Sequence, residues 1–229
     1  MTRPDRRTEN TQLRAFSATQ NVLHRADGSA RFDLGATSVI CSVSGPMEVP
    51  LRDEKLDEAT VEVVVRPSSG IASTREKLIE NTLRTTFEPI ILSGMMPRTL
   101  VQIVVQIIKD DGSVIAAAIN AIALALLDAG IPLKYMAASV TCMIDKTNNI
   151  ILDPTAAELE NAKSVHTFAF DNTPRTTTVL LSDSSGVFSE EEFDKYIECY
   201  DLCHQAVGQV HSFIRTAVEA KKQKEHQQQ

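Results

Sequence analysis

Asp153, Glu158 and Glu160 form the one carboxylate group in the chain whose spacing suggests chemistry. Such a set could hold a divalent cation, and a metal-activated water would then hydrolyse a phosphodiester. Asp153 also has a plainer use. Asp-Pro-Thr is a common helix start, with Asp153 as N-cap and Pro154 in the first turn. Cys199, Cys203 and His204 fall in one helical stretch, where metal ligation is a second possibility. No second pair stands at finger-like spacing, however, and both cysteines lie on the apolar stripe, so they read as packed core. Cys41 and Cys142 sit in apolar stretches too and read the same way. His211, two turns past His204, reads as surface. Ser184-Ser185-Gly186 lacks the flanking pattern of a nucleophile elbow, and the scattered glycines form no nucleotide-phosphate loop. Arg66, Arg75, Lys77 and Arg84 remain as a cluster of cations that suits phosphate contact or a solvated face.

The balance of charge restricts what those cations can do. The chain of 229 residues carries a formal net charge of −7, whereas a protein that grips nucleic acid unaided usually has a strong positive excess. Positive charge is local, with Arg3, Arg6, Arg7, Arg14, Arg25 and Arg31 near the start. A nucleic-acid path shared with partner chains fits better than autonomous affinity. The longest apolar run, Val114 to Leu127, is interrupted by Asn120 and ends at Asp128, too short and polar to span a bilayer. Met1 to Asn10 is polar and Arg-rich, so no secretory leader is expected and a reducing compartment is.

The elements that must position these residues follow from periodicity. Strands are expected over Gln12–Val22, Ala30–Leu34, Ala36–Ser44 and Ala59–Arg66, with a loop from Pro46 to Asp57. Ser73 and Glu76 form a capping box that opens a helix running to about Leu92, with Pro89 kinking it or marking its last turn. Thr99–Ile108 alternates cleanly, with Val101, Ile103, Val105 and Ile107 on one side. Val114–Ala129 is apolar nearly all round, which marks a buried central helix ended by Gly130 and Pro132. A hairpin around residues 146–149, a short helical segment after Asp153, and strands over Val165–Asp171 and Thr176–Ser182 follow. Ser189 and Glu192 make a second capping box ahead of a long amphipathic helix. The layout is α+β, with mixed sheets and packed helices.

Several ordered segments resemble the RNase PH family, and within it the ring subunits of the eukaryotic RNA exosome. They are Asp27–Phe32 with Gly35–Cys41, Pro97-Arg98-Thr99 leading to Asp110-Asp111-Gly112-Ser113, Leu127–Pro132, Asp153-Pro154-Thr155 and Gly186–Ser189. The resemblance covers residues 12 to 215. It implies a ribosomal-protein-S5-like fold, one RNase PH-like domain over residues 12–218; polarity marks 1–11 as a disordered N-terminal segment and 219–229 as a frayed tail. It also implies pairing with another RNase PH-like subunit, a hexameric ring with cap subunits, RNA passing through a shared channel, and residence in nucleus, nucleolus and cytoplasm.

Active members of this family carry a Gly-Gly-Thr-Arg type loop where the central helix begins, and the helix N-terminus and the arginine there suit an anion. Here the loop reads Gly112-Ser113-Val114-Ile115. Branched hydrocarbon cannot donate a hydrogen bond to phosphate. By spacing, Leu159 falls near the place of the catalytic aspartate, although a one-residue shift would bring Glu158 or Glu160 there. The resemblance therefore implies a non-catalytic chain with no cofactor and no metal, in which Arg66, Arg75 and Lys77 face RNA. The competing reading is a free homodimeric nuclease using a metal on Asp153, Glu158 and Glu160.

Overall fold

The computed structural model describes residues 3–173, 178–187 and 193–228, apart from the side chains at 225, 226 and 228. Two sheets build the molecule. The first has the strand order β1(Phe16–Gln20), β2(Gly28–Leu34), β3(Thr37–Glu48), β5(Thr99–Lys109), β4(Thr60–Arg66). Its pairs are antiparallel except β4 with β5, which are parallel and joined through α1(Thr74–Phe87). A parallel pair needs such a crossover, because no tight turn can return the chain to the same end. The second sheet is antiparallel throughout, in the order β7(Ile150–Leu152), β6(Ala138–Asp145), β8(Ala162–Phe170), β9(Val179–Gly186).

Helix α2(Val114–Ala129) lies between the sheets, packed on β2 and β3 of one and on β6 and β8 of the other. That position explains its composition, since it has apolar neighbours on two sides. A long helix, α4(Phe193–Gln228), packs on β6 and β8 and reaches across to β1. There Phe213 meets Phe16 and Phe32 at ring separations of 5.5 and 6.1 Å.

Asn120 is the one polar side chain buried in the middle of α2. It accepts a bond from the Ser139 backbone N–H at 2.9 Å and donates to the Ser139 carbonyl at 3.1 Å, fastening the helix to β6. Asn120→Leu keeps the volume and strands both backbone groups. We expect it to cost about 1–3 kcal/mol, read as a lower urea midpoint with an unchanged slope.

The α+β architecture expected from the sequence is the one observed. Ser73 and Glu76 do form a reciprocal capping box, and Gly130 ends α2 in a left-handed conformation. Several boundaries differ: β2 starts at Gly28, β3 runs on to Glu48 through the start of the expected loop, and β8 spans Ala162–Phe170. The first strand is only five residues long, because Arg14 turns inward to Asp153 and Asn21 adopts φ 56°. Helix α1 stops at Phe87 with Glu88 as its C-cap, so Pro89 lies outside it. The last strand begins at Val179 and continues to Gly186, while part of the segment expected for it, and the second capping box, lie outside the described residues. The tail expected to fray stays helical to Gln228: it contains no Gly or Pro, and Lys221 is paired with Asp128.

The largest departure is at the start of the chain. Residues 1–11 read as disordered from their polarity, yet Arg3 and Arg7 are buried. Besides Asp5 and the Gln12 carbonyl, their partners are carboxylates and carbonyls at residues 152–158, which no local pattern reveals.

Candidate functional site

Two loops meet where β5 ends and α2 begins. Residues 110–113 approach residues 153–156 closely enough that Ala156 N–H bonds to the Asp111 carbonyl at 3.2 Å and Ser113 Oγ to the Pro154 carbonyl at 3.2 Å. Gly112 is required there. At φ 84° a side chain is strained, and a Cβ would lie 2.6 Å from the Pro154 carbonyl oxygen. Ser113 is the N-cap of α2 in a left-handed conformation and makes no side-chain cap bond.

Arg14 locks this junction from the core side. Its Nη2 and Nε donate to Asp153 Oδ1 and Oδ2 at 2.6 and 2.8 Å, and its backbone N–H donates to Oδ2 at 3.0 Å. Its Nη1 donates to the Asp111 carbonyl at 3.0 Å. Asp153 is therefore not an N-cap. It is the buried anchor of Arg14, in a left-handed backbone conformation, and Thr155 caps the short helix α3(Ala156–Leu159) instead.

Glu158 is taken in the same way. Arg3 donates to Glu158 Oε1 at 2.7 Å and to Oε2 at 2.9 Å, the bidentate geometry in which guanidinium binds carboxylate best. Thr155 N–H adds a bond to Oε2 at 2.8 Å as part of a capping box. Burial pushes this carboxyl up, but Arg3 and the Thr155 bonds outweigh it and bring the pKa down to about 2. Arg7 lies beside both groups and donates to the Asp153 carbonyl at 2.8 Å. Burial, and then the neighbouring Arg3, lower its pKa. Glu160 points into solvent. The carboxylates proposed for a metal are thus two arginine-bound anchors and one surface group. N–H donors occupy the oxygens of Asp153 and Glu158, so the metal-nuclease reading keeps only Glu160 of its three ligands.

On the other side of the junction lies a cleft of about 480 Å³ lined by Arg75, Leu78, Val114, Ile115, Leu159 and Val165 among others. Val114 and Ile115, from the first turn of α2, are both in its wall. Leu159, near the catalytic position by spacing, is there too.

The three cations expected to face RNA are not brought together. Arg75 lines this cleft and donates from Nη2 to Asp110 at 3.1 Å. Lys77, two residues on and so on another face of α1, pairs with Glu80 at 2.6 Å beside a separate groove along β4. Arg66 ends β4, exposed and without an ion pair among the described residues. Lys109, which the sequence reading did not single out, shares that character at the end of β5. Strand register could have found it, since β4 and β5 run parallel and finish at the same end.

Elsewhere the chemistry-bearing residues are structural. Cys199 and Cys203 sit in the core with Cys142 beside them, and all three are fully buried. His211 is not on the surface as expected. Its ring nitrogens are enclosed, and burial lowers its pKa. Ser184 Oγ is 2.9 Å from His166 Nδ1, a contact invisible in the sequence. The other ring nitrogen of His166 faces the Ser164 hydroxyl at 3.0 Å rather than a carboxylate, and Ser184 lies on an ordinary strand. With a serine hydroxyl at each ring nitrogen, the arrangement differs from a carboxylate-oriented nucleophile and base.

Two sheets, a buried helix between them and the loop at its start are the arrangement that direct comparison places. Residues 12–132 match the 3′ exoribonuclease family, domain 1, of the RNase PH type, and residues 135–199 match domain 2 of the same family. The chain belongs to this family. Within it, Val65-Arg66-Pro67, Arg75–Ile79 with Asn81-Thr82, and Leu152–Thr155 resemble the ring subunit called ribosomal RNA-processing protein forty-six. The comparisons agree. Exosome complex component RRP46 of Saccharomyces cerevisiae is 39% identical over 213 residues, covering 88% of this chain and 96% of the relative. Exosome complex component rrp46 of Schizosaccharomyces pombe is 37% identical over 190 residues, covering 82% and 83%. The crystal structure of rice Rrp46 superposes with a TM-score of 0.88 at 36% identity, over 95% of this chain and all of that one.

Proposed function

We propose that this chain is a non-catalytic subunit of an exosome hexameric ring, supporting 3′-to-5′ RNA processing and decay, ribosomal RNA maturation included. Its partners are other RNase PH-like subunits and the cap subunits, with RNA passing through the shared channel, in nucleus, nucleolus and cytoplasm. The relatives that match it along most of its length are exosome components by name. One observation carries the non-catalytic part: the loop at the start of α2 offers Val114 and Ile115 where active relatives offer a hydroxyl and a guanidinium. Phosphate entering that cleft would lose its hydration against hydrocarbon and gain no donor from those side chains. RNA contact falls to Arg66, Arg75 and Lys77, three separate exposed cations, of which Arg66 has no ion pair among the described residues.

The purified chain, incubated with single-stranded RNA and inorganic phosphate, is expected to release no nucleoside diphosphate. Phosphate-dependent release that survives further purification would overturn the silent-site reading. The mass of the native assembly carrying the chain tests the ring separately.

A further inference from the structure

Residues 3–12 contain no aliphatic or aromatic side chain except the exposed Pro4, and of these ten residues only Arg3 and Arg7 are buried. Hydrogen bonds fasten the segment in place. Arg3 reaches Glu158 at 2.7 and 2.9 Å and the carbonyls of Leu152 and Asp153, both at 3.0 Å. Arg7 donates to the Asp153 carbonyl at 2.8 Å, and the Asn10 carbonyl accepts from Leu152 N–H at 2.8 Å. A segment that buries so little apolar surface opens at a lower free energy than the whole fold.

What the segment holds is one end of α3. The start of α3 is pinned from inside the molecule: Arg14 binds Asp153, Ala156 N–H bonds to the Asp111 carbonyl, and Ser113 Oγ bonds to the Pro154 carbonyl. None of those bonds involves residues 3–12. The far end is pinned from outside, where Arg3 grips Glu158. The next residue, Leu159, lines the cleft together with Ala156. A helix of four residues is too short to keep its last turn without outside support. Glu158 and Leu159 therefore follow Arg3, whereas Asp153 to Ala156 stay with the loop ahead of α2.

We propose that residues 3–12 are a detachable strap. Docked, the strap holds the far end of α3 and keeps Leu159 in the cleft wall; undocked, it frees that wall while the rest of the fold stays closed. This control over the shape of the cleft is independent of whether the cleft binds phosphate.

All four native cysteines are buried, so a thiol placed in the cleft can be followed by itself. Leu159→Cys in the full chain is labelled with N-ethylmaleimide, with and without Arg3→Met, and read by intact mass. Labelling is expected to be at least about tenfold faster when Arg3 is replaced, because the strap no longer closes that wall. Leu78→Cys, on the α1 wall and already 67% exposed at that position, should be labelled at the same rate in both backgrounds. Arg7→Met removes a different bond of the strap and should accelerate Leu159→Cys in the same direction. The native cysteines should stay unlabelled throughout, which shows that each variant is folded. Equal rates for Leu159→Cys with and without Arg3→Met overturn the proposal. So does an acceleration that the native cysteines share in both arginine variants, since the start of the chain would then support the whole fold and not one wall.

Discussion

Replacing Arg14 with methionine is expected to destabilise the chain by about 3–5 kcal/mol, the usual penalty for stranding one partner of a buried ion pair. Methionine keeps much of the aliphatic stem, so the loss reports the guanidinium and not the volume. What it strands is Asp153, 1% exposed, left with the Arg14 backbone N–H at 3.0 Å and Arg7 at 3.8 Å. The Asp111 carbonyl loses its donor at the same time. For a chain of this size the change amounts to a fall in melting temperature of about 6–20 °C. Asp153 lies in the left-handed region, which asparagine tolerates, so Arg14→Met with Asp153→Asn completes a double-mutant cycle without new backbone strain. The double variant should recover part of the loss, since the uncompensated charge is gone. A single-variant loss below about 1 kcal/mol would mean that the pair behaves as a solvated one.

Much of the fold was legible because it rests on local rules. The alternation of β5, the continuous apolarity of α2, the Ser73–Glu76 capping box and the Gly130 stop each use residues close in sequence. The Arg14–Asp153 bond joins residues 139 apart, and the Arg3–Glu158 bond joins residues 155 apart. A run of arginines at a chain start looks like solvated tail unless the buried carboxylates that receive it are known. Asp153 was misread for the same reason, because Asp-Pro-Thr fits an N-cap on local grounds and its true partner is distant. One signal was available. Thr155 and Glu158 have the spacing of a capping box, which places the cap at Thr155 and frees Asp153 for another role. The hydrocarbon at Val114 and Ile115 was legible only against the family pattern. The aliphatic cleft around it, with residues from α1, α2, α3 and β8, required the structure.

The two arginine pairs also separate stability from ancestry. A carboxylate that served chemistry would need free lone pairs and access to solvent. Asp153 and Glu158 have neither, since guanidinium and backbone donors occupy their oxygens inside the protein. Val114→Thr with Ile115→Arg would add anion donors to the cleft wall and leave both carboxylates bound to arginine.

Glu158 gives the sharpest pH signature. Its carboxyl ionises at about 2 in the folded chain against 4.5 in its absence, and the side chain is 7% exposed. A folded-state pKa below the unfolded one adds stability that is fully present above the unfolded value and disappears as pH falls through the folded value. The difference corresponds to about 3 kcal/mol, present above pH 4.5 and lost progressively between there and 2. Thermal unfolding followed across that window should show the decline in the unaltered chain and a distinctly shallower one in Arg3→Met with Glu158→Gln, which has no charge to lose there. Arg3→Met alone should start from a lower stability and also show a shallower decline. Burial then acts on Glu158 with the Thr155 bonds and Arg7 at 3.8 Å to resist it, so its pKa rises towards the unfolded value and less stability is left to lose below pH 4.5. Equal slopes for the unaltered chain and the double variant between pH 4.5 and 2 would show that the start of the chain does not hold Glu158 in solution.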